Sequence, residues 1–239
     1  MATREWNYSP AGEEDAEAMV RLTTRTLAAE PQTITKYKDI PSFAYPKERQ
    51  HLTPPEQLFA HRVQTRKKAI TSEGICTYKV MHPSEPGRMI GAVMCKEPVE
   101  ESPKTLPLSD EDANKLTLPP SPPAAPPACL DLEAMKHVQE TMETARREIW
   151  GSNGSDADSS QPGYLFDPEF RRQGIATQLM QPLFKQPEYI AGRLPIYVEA
   201  SPLGKMFSQS CGFEVLRDVE LFEGRAMLSA MILRRPADA

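Results

Sequence analysis

The proline-rich stretch from residue 98 to residue 127 limits the possible folds more than any other feature of the sequence. Nine of its thirty residues are proline, including the pairs Pro119-Pro120 and Pro122-Pro123. Proline has no backbone N–H and breaks helices and central strands, and this stretch has too few apolar side chains to bury. We therefore expect a disordered linker over residues 98–129, and the core must be built from the chain on either side.

A helix is predicted directly after this linker. Asp131 is a plausible N-cap, the pattern ends at Trp150-Gly151, and residues 151–163 are rich in Ser, Gly, Asp and Asn. The apolar residues that form one stripe at helical spacing are Leu132, Met135, Val138, Met142, Ala145 and Ile149. Residues 130–163 are therefore expected to be a helix followed by a flexible loop. If 98–162 is set aside as an insertion, 174 of the 239 residues remain for a compact body.

The N-terminal part of that body alternates helical and strand patterns. Ser9-Pro10 resembles a cap followed by a first-turn proline, which predicts a helix over residues 10–29. The irregular stretch that follows contains Tyr37, Phe43 and Tyr45, which we expect to cover a pocket. The remaining elements predicted before the insertion are a helix over 55–69 and a hairpin of strands 77–81 and 89–95.

The C-terminal part continues this pattern. The predicted elements are a short strand over 163–166, a helix after residue 174, a strand over 194–200, a helix over 203–211 and two strands over 213–216 and 226–234. This order predicts an α/β (α+β type) fold, with a central mixed, mostly antiparallel twisted sheet of about six to seven strands flanked by helices. We expect residues 1–239 to form a single domain.

Charge and composition argue against several classes of protein. A net charge of -5 and a pI near 5.5 leave no strongly basic face of the kind that nucleic-acid binding requires. The polar N-terminus and the lack of any long apolar run predict a soluble cytoplasmic protein with no membrane contact. The four cysteines are widely separated without Cys-x-x-Cys spacing, so we expect reduced thiols and no metal site.

The run Phe170-Arg171-Arg172-Gln173-Gly174-Ile175-Ala176-Thr177 has the character of a phosphate-binding loop. A loop that enters a helix N-terminus offers consecutive backbone N–H groups and the positive end of the helix dipole. Gly174 removes a side chain where a pyrophosphate would approach, and Arg171 and Arg172 add positive charge. A glycine at a helix start can also be a simple packing device, so the run needs support from its context.

That context is a resemblance to the GNAT (Gcn5-related) N-acetyltransferase family. The stretch from Asp167 to Ala176 resembles the acetyl-CoA motif of the family, Arg/Gln-x-x-Gly-x-Gly/Ala. The stretch from Ile196 to Gly204, followed by Cys211-Gly212-Phe213, resembles the family's next strand, its Ala-Ser-Pro-x-Gly turn and the Gly-Phe that closes the next helix. The resemblance covers most of the chain outside 31–70 and 98–162, and looks closest to GNAT-domain proteins of fungi.

The resemblance implies an acetyl-CoA-dependent N-acetyltransferase that transfers an acetyl group to a primary amine by direct attack, without a metal. A small-molecule amine is the expected acceptor. The backbone of the strand before the motif would anchor the pantetheine, and the implied cofactor-binding residues are Phe166, Asp167, Arg171, Arg172, Gln173, Gly174, Ile175, Ala176 and Thr177. The candidate catalytic residues are Glu199, Asp167 and Ser208, with Glu169 as a further possible base.

The sequence departs from the family pattern at three places. Ser208 stands where family members often have a Tyr that acts as the acid for the departing thiolate. Residues 163–166 give a strand of about half the usual length. Pro182 should kink or end the helix after the motif. These departures favour an alternative, a catalytically impaired GNAT-like protein that binds CoA or a partner, or a sequence that lacks a few residues. An adaptor that works through the proline-rich stretch is a third hypothesis.

Overall fold

The computed structural model describes residues 6–28, 40–96, 125–150, 163–185 and 195–234. Most of the predicted linker, nearly all of the predicted loop over 151–163, and Tyr37 lie outside the described residues. The strands are β1 (Tyr8–Pro10), β2 (Ile75–Met81), β3 (Met89–Lys96), β4 (Gly163–Phe166), β5 (Ile196–Ala200), β6 (Glu214–Leu221) and β7 (Ala226–Leu233). The helices are α1 (Ala16–Ala28), α2 (Ile40–Ala44), α3 (Pro55–Ile70), α4 (Leu132–Trp150), α5 (Ile175–Phe184) and α6 (Pro202–Ser210).

The strands form two sheets that share one hydrophobic core. One sheet has the order β1-β2-β3-β4 and the other the order β5-β7-β6, and every described pair is antiparallel. β4 and β5 are therefore edge strands of different sheets. Ile90 and Val93 of the first sheet and Val198 and Met231 of the second belong to the same buried cluster, together with Leu179 of α5. The predicted α/β class, with largely antiparallel sheet flanked by helices, is confirmed.

The predicted start of the first helix is wrong. Ser9 and Pro10 lie in β1 and pair with Lys79 and Tyr78 of β2, and α1 begins only at Ala16 after a 3-10 turn. The turn is capped at Gly12, whose N–H donates to the carboxylate of Asp15 at 2.9 Å. Pro10 suits the edge strand because an edge position does not require its missing N–H.

The other predicted elements lie close to their expected positions. The hairpin is β2 and β3, the helix over 55–69 is α3, and α4 is capped by Asp131, whose Oδ1 accepts from the N–H of Ala134 at 3.1 Å. β6 is longer than predicted and runs to Leu221. Pro182 lies inside α5, which continues for only two residues beyond it. The left-handed φ of +92° at Gly212 ends α6, as a glycine permits.

Close packing of α5 on the first sheet depends on Gly91 of β3. A Cβ at this position would lie 2.6 Å from Cγ2 of Ile175 and 3.0 Å from Cδ1 of Leu179. Both of these side chains are buried on α5. The missing side chain therefore lets the helix that follows the glycine-containing loop lie directly against β3, and this contact fixes the position of its N-terminus.

Candidate active site

A large cleft opens where β4 and β5 end their respective sheets. Its volume is about 2570 Å³, and its walls come from both strands, the start of α5, the start of α6, α2, the first turns of α4, and the turn between β6 and β7. Sites for one small ligand usually measure about 300–1,000 Å³. The cleft therefore has room for two reactants side by side.

The N-terminus of α5 presents free backbone donors to this cleft. Gly174 is the N-cap and has no side chain that could cap the helix, and the first backbone bond runs from Gln178 N–H to the Gly174 carbonyl at 3.0 Å. Ile175, Ala176 and Thr177 also line the cleft. Their N–H groups precede the first intrahelical hydrogen bond, so they are available to an anion at the positive end of the helix dipole.

The backbone of this loop leaves space for a ligand. Gly174 has a left-handed φ of +84°, and a Cβ built on it would meet no atom within 4 Å. The glycine is thus required by its backbone angle and not by packing, and the space above it is open. Arg171 and Arg172 are exposed and line the cleft beside it, as does Gln173. A pyrophosphate fits the donors, the charges and the open approach of this loop.

A buried carboxylate holds the start of the loop in place. The Asp167 side chain is 1% exposed, and its Oδ2 accepts hydrogen bonds from Arg25 Nε at 3.0 Å and Arg88 Nη2 at 3.2 Å. Its Oδ1 accepts from the N–H of Glu169 at 3.2 Å. Asp167 and Glu169 do not line the cleft, whereas Phe166 does. Asp167 instead contacts Arg25 of α1 and Arg88, the residue before β3, and Glu169 contacts Arg88.

Trp6 anchors the other end of the loop, a role that the sequence did not indicate. Its indole N–H donates to the carbonyl of Gln173 at 2.7 Å, and its ring makes an edge contact with Phe170 at 5.9 Å between centroids. His82 makes a second edge contact with Phe170 at 5.2 Å. The residues on both sides of Arg171 and Arg172 are therefore fixed, while those two arginines extend toward the cleft.

Glu199 and Ser208 are the two predicted catalytic residues that line the cleft. Glu199 lies on β5, and its Oε1 is 2.7 Å from Arg146 Nη1 of α4 and 3.2 Å from the hydroxyl of Tyr197. Burial, followed by the charge of Glu199, raises the pKa of Tyr197, so this hydroxyl stays protonated and donates to the carboxylate. Ser208 lies in α6 with 1% of its surface exposed.

Aromatic side chains form another part of the cleft wall. Phe43 and Tyr45 line it, which confirms for these two residues that the stretch before α3 covers a pocket. The ring of Phe43 stacks on Phe222 at 4.0 Å between centroids and 7° between planes, and His137 lies 4.9 Å from Phe222. No local pattern in the sequence marked His137 or Phe222, because α4 and the β6–β7 turn meet only in the folded chain.

Two solved structures resemble the chain over nearly their whole length. One is a histone acetyltransferase HPA2 and related acetyltransferase from Corynebacterium glutamicum, at 13% identity and a TM-score of 0.50, with 99% of each chain covered. The other is a GCN5-related N-acetyltransferase from Rhodopseudomonas palustris, at 13% identity and a TM-score of 0.51, with 98% of this chain and 99% of that chain covered. This protein therefore has the GNAT fold.

No protein-family model matches the sequence, and no curated protein matches it either. Among the described residues, no cluster of three or more His, Cys, Asp or Glu side chains is arranged to hold a metal ion. The helices within the described ranges are all too short or too polar to cross a membrane.

Proposed function

We propose that this protein is an acetyl-CoA-dependent N-acetyltransferase that acetylates a primary amine, and that the amine belongs to a small molecule. The observation that carries the proposal is the N-terminus of α5, where the cap residue Gly174 has no side chain and the helix faces a cleft large enough for two reactants. In this proposal the pyrophosphate of acetyl-CoA is held by the N–H groups of Ile175, Ala176 and Thr177 and by Arg171 and Arg172. The closer relationship to fungal GNAT-domain proteins remains a prediction.

The reaction requires an unprotonated amine beside the thioester. The amine nitrogen attacks the carbonyl carbon, a C–N bond forms, the C–S bond breaks, the nitrogen loses a proton and the departing thiolate gains one. Glu199 is one of several carboxylates on the cleft wall and the one that β5 carries, and we propose that it attracts the ammonium form and accepts its proton. Ser208 is proposed to donate a hydrogen bond to the departing sulfur. Asp167 contributes by holding the loop.

One observation favours the alternative, a GNAT-fold protein that binds CoA without efficient turnover. Glu199 is held by Arg146 and Asp167 by Arg25 and Arg88, so both carboxylates are already neutralised by arginines. The carboxylate oxygens that these arginines contact are less accessible to an incoming amine. In this alternative the cleft binds acetyl-CoA, and the protein serves as a CoA-responsive interaction partner.

Calorimetric titration of the protein with acetyl-CoA tests the binding step. The informative variant is Gly174→Asp, which places a negative charge at the proposed pyrophosphate site and should weaken binding by about tenfold or more. Gly87→Asp is the matched control because Gly87 also has a left-handed φ, +77°, has no atom within 4 Å of the position that a Cβ would take, and does not line the cleft. Equal affinities of the two variants would refute the pyrophosphate site.

Release of free thiol from acetyl-CoA in the presence of pooled primary amines separates the two functions. The enzyme proposal requires amine-dependent thiol release that Glu199→Gln reduces strongly while acetyl-CoA binding persists. Binding of acetyl-CoA with no amine-dependent release from a broad pool supports the non-catalytic alternative.

A further inference from the structure

The hydrogen bonds that reach the Glu199 carboxylate converge on one of its two oxygens. Oε1 accepts from Nη1 of Arg146 at 2.7 Å and from the hydroxyl of Tyr197 at 3.2 Å. An ionised carboxylate has about four acceptor sites, shared between its two oxygens. Within the part of the chain that the structure describes, Oε2 has no hydrogen-bond partner, and it is not among the buried polar atoms that lack one. Oε2 is therefore open to solvent and able to accept a further hydrogen bond.

Tyr197 is held in place beside this carboxylate. It is fully buried, and its ring makes an edge contact with Trp150 of α4 at 5.9 Å between centroids. Tyr197 and Glu199 are two residues apart on β5, so their side chains project from the same face of the sheet. Because burial, and after it the charge of Glu199, raises the pKa of Tyr197, the hydroxyl keeps its proton and donates it to the hydrogen bond with Oε1.

The two donors fix the rotation of the carboxylate group. The last torsion of a Glu side chain is broad and roughly two-fold, so a carboxylate without anchors exchanges its two oxygens readily. Arg146 comes from α4 and Tyr197 from β5, so Oε1 is held from two different elements. With Oε1 held, Oε2 has one preferred position. Glu199 lines the cleft and its side chain is 22% exposed, so a ligand in the cleft can reach this carboxylate.

We propose that Tyr197 and Arg146 are positioning residues for acetyl transfer, and that they make Oε2 the atom of Glu199 that takes the proton from the acceptor amine. This inference rests on the proposed acetyl transfer and deepens it by naming the acting atom and the residues that orient it. In this step an N–H bond of the ammonium breaks, an O–H bond forms at Oε2, and the nitrogen lone pair becomes free to attack the thioester. The contact with Arg146 thus orients the base and leaves one of its oxygens available.

Tyr197→Phe tests this role, because it removes the hydroxyl and keeps the ring that packs on Trp150. We expect kcat for thiol release, measured with the amine of the pool that reacts fastest, to fall about tenfold. KM for acetyl-CoA should not change, since Tyr197 does not line the cleft. Tyr8→Phe is the matched control, because the Tyr8 hydroxyl lies 3.4 Å from Nζ of Lys185, outside the cleft lining. That variant should keep the kcat of the parent protein.

The same substitution in a Glu199→Gln background separates positioning from a structural role. If the hydroxyl acts through Glu199, the double variant has the kcat of Glu199→Gln alone, within about twofold. A tyrosine that only supports the fold would lower kcat by the same factor in both backgrounds, and this result would overturn the inference. Arg146→Lys keeps a charged donor for Oε1, so it should retain more of kcat than Arg146→Gln.

Loss of this inference and loss of the proposed acetyl transfer give different results. If the parent protein acetylates the amine and both Tyr197→Phe and Arg146→Gln keep its kcat, the positioning role is refuted and the transferase stands. If the parent protein binds acetyl-CoA and releases no thiol with any amine, both proposals are overturned. A lower kcat in both variants, with unchanged affinity for acetyl-CoA in calorimetry, supports the positioning role.

Discussion

Oε1 of Glu199 lies 2.7 Å from Nη1 of Arg146, which ties the strand on the cleft wall to the helix of the insertion. Both side chains are about one-fifth exposed, and the contact is reinforced by the edge-to-face packing of Trp150 on Tyr197 at 5.9 Å. α4 is therefore part of the candidate site, because it supplies the partner of the proposed base and also lines the cleft with His137.

Arg146→Gln should destabilise the protein, since it leaves a half-buried Glu199 without its charged partner. We expect a loss of about 1–3 kcal/mol in the free energy of unfolding, measured by urea denaturation. Arg217→Gln is the control, because Arg217 joins α4 to β6 through Glu148 in a pair that is half exposed on both sides. That variant should lose less than about 1 kcal/mol. Equal losses of unfolding free energy in the two variants would show that burial of the Glu199–Arg146 pair does not add to stability.

Gly91→Ala should disturb the packing of α5 against β3. The added Cβ would lie 2.6 Å from Cγ2 of Ile175 and 3.0 Å from Cδ1 of Leu179. Overpacking of this kind costs about 1–3 kcal/mol and should also weaken acetyl-CoA binding through displacement of the helix start. Gly163→Ala on β4 is the comparison, since its nearest contact would be an ordinary 3.8 Å. Thermal unfolding with and without acetyl-CoA measures both effects, and a Gly91→Ala variant as stable as Gly163→Ala would contradict the packing argument.

Asp167→Asn should loosen the segment from Phe170 to Gly174 that leads into α5. The amide keeps the shape but removes the charge shared by Arg25 and Arg88, with an expected loss of about 1.5–3 kcal/mol in unfolding free energy. Glu169→Gln removes an exposed partner of Arg88 and should be close to neutral. Kinetics decide between anchoring and base catalysis: a raised KM for acetyl-CoA with little change in kcat indicates anchoring, while a collapse of kcat alone indicates that Asp167 is the base.

Stability at acid pH should depend on Asp218. Hydrogen bonds from Lys205, and then from Ser229, lower the pKa of Asp218 below its usual 3.8. A carboxyl group whose folded-state pKa is depressed stabilises the fold above its unfolded-state pKa, and this contribution disappears as pH falls through the folded-state value. Asp218→Asn should therefore lower Tm at pH 7, and the difference in Tm from the parent protein should shrink as the pH falls below 3.8. A constant difference in Tm across that range would exclude the linkage.

Local patterns predicted most of the secondary structure because helices and hairpins are encoded by nearby residues. The stripe from Leu132 to Ile149, the turn-rich segment between β2 and β3, and Gly174 at the start of α5 each had a local signature. The start of α1 was mispredicted for the same reason. Ser9-Pro10 resembles a cap locally, but pairing with β2, some 70 residues away, places it in a strand.

The sequence by itself determined the α/β order of elements and the loop that carries Gly174, since both follow from periodicity and from the backbone freedom of glycine. The tertiary structure decided how the charged and aromatic side chains are used. Asp167 contacts Arg25, 142 positions away in the sequence, and Glu199 contacts Arg146, 53 positions away. Phe43 of α2 stacks on Phe222 of the turn between β6 and β7, which is likewise far in the sequence from any local pattern around Phe43. Ion pairs and ring contacts depend on distance in space, and no local pattern specifies which distant partner will lie within 3 Å.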